Sequence, residues 1–304
     1  MNILVTGGAG FIGSQIADAY IEEGHNVIIA DNMSTGVKEY INPKAKFYEM
    51  DVRDENISCI FKENSIDVVN HHAAQIDLRK SVEEPKFDIE VNVIGSVNLL
   101  QNAKEYGVKK FIFASTGGAM YGEHDYYPAD EEHPTRPYAP YGINKLSVEK
   151  YLYYYSHVYG LNYCVLRYAN VYGPRQNSHG ECGVIAIFTD KILHGTEPLI
   201  NGDGEQTRDY VYVGDVVRAN VLALKTSEPK TYNVATSEET TVNYIFNKLN
   251  HFAGTSFKEN HGPEKKGEQR RSVLSYEKIN KELGWEPKVH IEEGIKRTVK
   301  FFKG

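Results

Sequence analysis

Short apolar runs alternate with amphipathic stretches through the first half of the chain. Asn2-Ile3-Leu4-Val5-Thr6 is β-branched and apolar and reads as a buried strand. The stretch from Ser14 to Ile21 has helix spacing, with Ile16, Ala19 and Tyr20 on one side. Further strands are predicted at Asn26-Val27-Ile28-Ile29-Ala30, at 45–50, at Asp67-Val68-Val69-Asn70, at 109–114 and at Tyr163-Cys164-Val165-Leu166-Arg167. Helices are predicted at 55–63, 87–106 and 141–159; the second carries Ile89, Val93, Val97 and Leu100 near helical period. Repeated βα units of this kind predict an α/β fold, a doubly wound parallel sheet that binds ligands at the carboxyl ends of its strands.

The rhythm breaks beyond Gly173-Pro174, where glycine and proline become frequent and strands shorten. A smaller, discontinuous C-terminal substrate domain is expected there. The division reads as 1–172 plus about 209–235 for the sheet domain, and 173–208 with 236–304 for the second. Tyr210-Val211-Tyr212-Val213 and a helix from Asp215 to Leu224 are expected to return to the sheet, and 241–252 and 291–302 read as helices.

The chemistry begins in the first dozen residues. Gly7-Gly8-Ala9-Gly10-Phe11-Ile12-Gly13 sits between the first strand and the first helix. That order leaves helix N–H groups unpaired and facing an anion. Gly7 allows the tight turn, Gly10 leaves room for a pyrophosphate, and Gly13 lets the helix approach the strand. The second strand ends in Asp31, at the distance expected for an acid that accepts from an adenosine ribose. No Lys or Arg occurs between Asp31 and Lys38, so NAD is favoured over NADP.

Tyr141 and Lys145 lie four residues apart on a predicted helix and share a face. A phenol of pKa about 10 is a poor base at neutral pH, and a neighbouring cation favours its ionised form. The pair suits removal of a hydroxyl proton while hydride leaves for a nicotinamide. The same spacing recurs at Tyr106 and Lys110, but there it straddles a helix end and a strand. Tyr141 instead follows the strand ending in Ala114-Ser115-Thr116-Gly117-Gly118, whose hydroxyls, Thr116 first and Ser115 as the alternative, are placed to shuttle the proton.

The remaining composition narrows the classes. The 304 residues carry a net charge of −7, which gives no basic footprint for nucleic acid. Cys59, Cys164 and Cys182 are odd in number and widely spaced, which fits a reducing compartment. His71-His72 and the His179/Cys182 pair lack a second ligand pair at metal spacing, so no metal is expected. No apolar run has membrane-spanning length, and the N-terminus enters a strand directly; a cytoplasmic protein that binds no membrane is expected.

Taken together, these motifs resemble the extended short-chain dehydrogenase/reductases, a Rossmann-fold family, and among them the UDP-glucose 4-epimerases. The resemblance runs nearly the whole chain. It rests on the 6–13 glycine turn, Asp31-Asn32, Asp51-Val52-Arg53-Asp54, His72-Ala73-Ala74-Gln75, the 115–122 segment, Tyr141 with Lys145, the 166–174 segment, Gly202-Asp203-Gly204, Arg208-Asp209-Tyr210 and Leu283-Gly284-Trp285. It implies that the 7–13 turn, including Phe11 and Ile12, and Asp31, Asn32, Ser34, Thr35 and Gly36 hold the NAD adenosine and pyrophosphate, with Asp51 and Val52 at the adenine. His72, Ala73, Ala74, Gln75 and Ala114 line the channel toward the nicotinamide, Asn92 lies behind the active site, and Tyr168 sits beside the nicotinamide.

On the substrate side the resemblance implies that Thr116, Tyr141, Asn170, Asn201, Arg208, Lys265, Glu268 and Ser272 meet a UDP-hexose. A guanidinium fork such as that of Arg208 matches phosphate oxygens. Three features depart from the family pattern. The 115–118 segment is one residue longer. Asn201 stands where an aromatic often stacks on uracil, and Lys265-Lys266-Gly267-Glu268 replaces an Arg-x-Gly-Asp. Ser272 is small where bulk blocks N-acetyl sugars in some relatives, which suggests a roomier pocket. The implied reaction is redox-neutral 4-epimerisation through a 4-keto sugar, with N-acetylhexosamine or uronic acid as alternative substrates. A 4,6-dehydratase is disfavoured because Gly117-Gly118 follows Thr116 where those enzymes carry Asp-Glu, and a silent NAD-binding scaffold would not need Tyr141 and Lys145. The two long helices are expected to pair across a two-fold axis in a homodimer.

Overall fold

The computed structural model describes residues 1–178, 183–264 and 269–304. Seven parallel strands form its central sheet: β1 (Asn2–Thr6), β2 (Asn26–Asp31), β3 (Lys46–Glu49), β4 (Val68–His71), β5 (Lys110–Thr116), β6 (Asn162–Tyr168) and the edge strand Lys230–Val234. In space the order runs from Lys230–Val234 through β6, β5, β4, β1 and β2 to β3. The direction of travel reverses between β1 and β4, and a doubly wound sheet opens its ligand crevice at that switch point.

Strand alternation builds two cores. Ile3, Val5, Val27, Ile29, Ile112 and Leu166 point to one face, where helices Phe11–Glu22 and Val213–Ala223 cover them. Leu4, Ile28, Val69, Phe111, Phe113 and Val165 point to the other, under helices Ser58–Asn64, Gly95–Glu105 and Pro140–Tyr159. A two-residue period within near-continuous apolar runs is what a sheet buried on both sides requires.

Beyond Tyr172 a third core gathers helices Val184–Leu193, Val242–Ala253 and Ile291–Lys303 around Phe188, Phe246, Leu249 and Val299. Short strand pairs sit at its border with the sheet, Tyr210–Tyr212 beside Asn170–Tyr172 and Arg271–Ser272 beside Thr207–Arg208. Ile279 and Trp285 return to the first face of the main sheet, where the Trp285 indole donates to the Asp215 carbonyl at 3.0 Å.

The predicted helix over 87–106 is continuous but not uniform. Helix Pro85–Ile89 passes through a π-helical turn, Glu90–Ile94, into Gly95–Glu105. The wider turn shifts the buried stripe, so Ile89 faces solvent while Asp88 and Asn92 turn inward. Such π insertions often mark functional sites.

Candidate active site

The glycine turn forms the floor of the switch-point crevice. Gly7 has φ +68°, a region glycine enters at no steric cost, and its N–H donates to the Ala30 carbonyl at 2.9 Å. A Cβ on Gly7 would stand 2.7 Å from the Ala73 nitrogen, and one on Gly13 would collide with the Gly7 carbonyl. The loop after β2 closes over this turn, with the Val37 N–H on the Ala9 carbonyl at 2.9 Å and Gly36 packed against Ala9. The buried Asp31 carboxylate ties the two together by accepting from the Ala9 N–H at 3.0 Å and the Met33 N–H at 2.9 Å.

Asn32 spans to the next strand end. Its amide donates to Asp51 at 2.8 Å and its carbonyl oxygen accepts from the Ser34 hydroxyl at 2.7 Å, while Thr35 is exposed. The Arg53 guanidinium grips Asp51 through Nε at 2.9 Å and Nη2 at 2.8 Å and holds its carboxyl down at about 2. Val52 is buried against Gly95.

At the end of β4 the hydrogen bonds fix two histidine tautomers. Ser96 Oγ donates to the Asn92 carbonyl at 2.6 Å, so it accepts from His71 Nε2 at 2.9 Å; His71 Nδ1 then accepts from the Thr6 hydroxyl at 2.7 Å. Burial holds His71 neutral, well below the usual histidine range. His72 stacks on Tyr168 with ring centroids 5.9 Å apart. Asn220 donates to the Tyr168 hydroxyl at 2.8 Å, and Tyr168 donates on to His72 Nε2 at 3.0 Å. Burial pushes His72 down to about 3, with Lys145 adding to the shift. The neutral ring therefore carries its proton on Nδ1, a buried atom without a partner among the described residues. Ala73 meets the Thr6 hydroxyl through its N–H at 3.3 Å, and Ala74 follows it, half-buried.

The β5 end separates the two hydroxyls. Ser115 is buried and donates to Glu149 Oε1 at 2.6 Å. Glu149 is itself clamped by Arg167, through Nε at 3.1 Å and Nη2 at 2.7 Å. Thr116, one residue on and half-buried, accepts the Ala119 N–H at 3.2 Å, which leaves its own proton to give.

Helix Pro140–Tyr159 carries Tyr141 and Lys145 on one face. The Lys145 ammonium donates to the Ala114 carbonyl at 3.0 Å and lies 5.8 Å from the Tyr141 ring centroid. Burial lowers Lys145 to about 8, with the Asp88 and Glu149 carboxylates opposing the shift. Burial, helped by Asp88, pushes the Tyr141 phenol up. The protein alone therefore keeps the phenol protonated, and a cation beside it is needed for base strength.

Four of the predicted substrate residues, Asn170, Asn201, Arg208 and Ser272, lie on short strands outside the main sheet. Asn170 sits at the start of a short strand, its N–H on the Asp209 carbonyl at 2.9 Å and its side-chain oxygen near Gly118. Arg208 and Ser272 are cross-strand partners, Ser272 buried and Arg208 half-buried. Asn201 lines a small cleft with Gly202, Gln206 and Arg270. Lys265 and Glu268, like His179 and Cys182, lie outside the described residues.

Several groups at this site were not legible in the sequence. Asp88 and Asn144 belong to no motif. Asp209 is a motif residue whose work is structural: it accepts from the Thr236 N–H and hydroxyl and the Ser237 N–H, and burial raises it to about 6. The second Tyr–Lys pair proves unrelated to the site. Lys110 is buried and its ammonium caps a helix end, on the carbonyls of Ala223, Leu224 and Thr226.

Comparison with known proteins agrees with this geometry. A crystal structure of UDP-glucose 4-epimerase with UDP-glucose from Thermotoga maritima superposes with TM-score 0.98 at 51% identity, covering 100% of this chain and 99% of that one. The Thermus thermophilus UDP-glucose 4-epimerase complex with NAD gives TM-score 0.95 at 44% identity, again over 100% and 99%. UDP-glucose 4-epimerase of Mycolicibacterium smegmatis is 40% identical over 309 aligned residues, 100% of this chain and 99% of the relative. Residues 3–235 match the family described as NAD dependent epimerase/dehydratase. With its glycine turn, Asp31 and the Tyr141–Lys145 pair assembled around one crevice, the chain belongs to the NAD dependent epimerase/dehydratase family.

Proposed function

We propose that the chain is an isomerase, an NAD-dependent UDP-glucose/UDP-galactose 4-epimerase. The features that carry this reading are Tyr141, with the Lys145 ammonium 5.8 Å from its ring centroid, and Thr116, whose hydroxyl accepts the Ala119 N–H and keeps its proton to give. The cofactor residues fit a dinucleotide. The glycine-rich Gly7–Gly13 turn presents backbone N–H groups, Asp31 closes the adenosine end, and the His72 Nδ1–H is a buried donor with no acceptor among the described residues. When bound, NAD supplies the hydride acceptor at C4 of the sugar and the hydride that is returned.

The chain's own residues do the rest. The Thr116 hydroxyl hydrogen-bonds the sugar 4-hydroxyl and passes its proton to Tyr141 Oη. The Lys145 ammonium, fixed on the Ala114 carbonyl, stabilises the phenolate by its charge. Arg208 holds the diphosphate while the hexose turns over, so that the hydride is returned to the opposite face of C4 and the proton to O4. A firm grip on the nucleotide and a loose one on the hexose is what a single site serving both faces requires. In the division proposed from the sequence, 1–172 plus about 209–235 and 173–208 plus 236–304, Arg208 falls in the second unit.

No described helix is long and apolar enough to cross a membrane. We infer that the partner is a second copy of this chain. Ile94, Ile143, Tyr154 and Val158 are exposed on two adjacent helices, more apolar surface than a monomer's solvated face needs. A homodimer mass by light scattering supports this; a monomer at all concentrations refutes it.

The experiment that tests the activity uses the protein as purified, without added NAD. UDP-glucose, UDP-N-acetylglucosamine and UDP-glucuronate are supplied separately and the sugars resolved by NMR. A C4 epimer forming fastest from UDP-glucose is the expected result. Failure with all three, with NAD restored, would overturn the reading.

A further inference from the structure

Behind Tyr141 lies a carboxylate that the reaction does not use. Asp88 is fully buried at the end of helix Pro85–Ile89, just before the π-helical turn. Three amides converge on it from three segments. Gln75 Nε2 donates to Oδ1 at 2.7 Å and Asn92 Nδ2 donates to the same oxygen at 3.1 Å. Asn144 Nδ2 donates to Oδ2 at 2.6 Å. Each partner is tied to the crevice in turn. Gln75 follows the β4 end, and its backbone N–H and carbonyl are both held by Asn92, at 3.0 and 2.9 Å. Asn144 lies between Tyr141 and Lys145 on the same helix.

We propose that Asp88 is a positioning residue, whose carboxylate locks the π turn, the β4 end and the Tyr141 helix into one frame and sets its charge beside the Tyr141–Lys145 pair. Both oxygens are acceptors of amide N–H groups, so a proton on either would face a donor. A buried charge acts through little intervening water, so it is felt at nearby titratable groups. Tyr141 faces Asp88 and Lys145; Lys145 faces Asp88, Glu149 and the neutral His71 and His72. Asp88 thus opposes the phenolate and favours the ammonium. After burial, the larger cause, this negative charge adds to the upward push on the Tyr141 phenol. This inference rests on the epimerase reading for the identity of the base, but its electrostatic part concerns only residues of the chain.

The geometry offers a substitution that separates charge from frame. In Asp88→Asn the amide oxygen at the Oδ1 position still accepts from Gln75 and Asn92. The amide nitrogen at the Oδ2 position would meet the Asn144 donor, but a flip of the Asn144 amide presents its oxygen instead and restores the bond. D88N therefore removes the charge and keeps the frame, whereas D88A removes both. The test is the pH profile of kcat/KM for UDP-glucose epimerisation by the wild-type, D88N and D88A holoenzymes, with thermal melting of each. The expected result is a D88N acid limb displaced about one pH unit toward lower pH, with melting close to wild type. D88A is expected to melt lower and lose rate across the pH range. A D88N profile that superimposes on wild type, with the protein folded, would overturn the electrostatic role. If no variant and no wild type epimerised any nucleotide sugar, the activity assignment would fail instead. In that case the frame is read from melting alone: D88N close to wild type with D88A lowered supports it, and D88A melting like wild type overturns it.

Discussion

Ser115 and Thr116 are adjacent hydroxyls, and substituting each should damage a different property. Ser115→Ala removes one donor from Glu149 Oε1, a bond of 2.6 Å in a buried setting. Glu149 is left paired, because Arg167 still reaches both of its oxygens at 3.1 and 2.7 Å. A hydrogen bond to a charged group contributes about 1.5–3 kcal/mol. With the ion pair intact the loss belongs at the lower end, about 1.5–2 kcal/mol, or a fall in Tm of roughly 2–3 °C for a chain of this size. Turnover should stay within about threefold, since among the described residues the Ser115 hydroxyl is engaged by Glu149. Thr116→Val keeps the shape and removes the hydroxyl. It should melt near wild type and lose about 10²–10³ in kcat, as expected for a group that relays the proton. The assay is thermal melting together with steady-state UDP-glucose epimerisation on both variants. If S115A lost the hundredfold and T116V retained activity, the proton relay would run through Ser115 and the division of labour argued from the hydrogen bonds would be wrong.

Other substitutions test other parts of the site. Burial lowers Lys145 from the ordinary lysine range to about 8, so between pH 8 and 10.5 the unfolded chain binds more protons than the folded one. Stability of the nucleotide-free protein should therefore rise with pH across that window, and at neutral pH the buried ammonium costs on the order of 3 kcal/mol. Lys145→Met should abolish activity, raise Tm near pH 7 and flatten its pH dependence; a lower Tm would contradict this. Lys110→Met should do the reverse, costing about 2–3 kcal/mol through three orphaned carbonyls while sparing kcat, measured by denaturant melts and rate. Gly13→Ala should abolish NAD binding or folding in titrations of intrinsic fluorescence, because its Cβ would enter the Gly7 carbonyl; tight NAD binding by the variant would contradict this.

The alternation of apolar and polar positions carried the first six strands, the helices between them and the crevice they open, because a sheet buried on both faces writes its runs plainly. The edge strand Lys230–Val234 was not readable. It holds a buried Asn233, whose side chain is satisfied by groups distant in sequence, Tyr121 at 2.8 Å and the Ala129 carbonyl at 3.1 Å. The π turn was invisible for a similar reason: one extra residue leaves composition unchanged yet rotates Ile89 outward and Asp88 inward. Tyr141 and Lys145 were legible because their chemistry is carried by residue type and helical spacing. Asp88 and Asn144 were not, because a buried amide–carboxylate frame is defined by contacts far apart in sequence. Choosing between Ser115 and Thr116 likewise needed the coordinates, since only the fold brings Glu149 to Ser115. The two Tyr–Lys pairs differ for the same reason, Lys110 being spent on a helix end.

The most direct test follows the hydrogen at C4. UDP-glucose carrying deuterium at C4 is incubated with the purified protein in ordinary water, and the product is examined by NMR and mass spectrometry. If hydride leaves for bound NAD and returns to the other face, the UDP-galactose formed carries the deuterium at C4, and added NADH contributes nothing to it. Product with protium at C4 would mean exchange with solvent, and a proton-transfer mechanism in place of the hydride transfer assigned to this site.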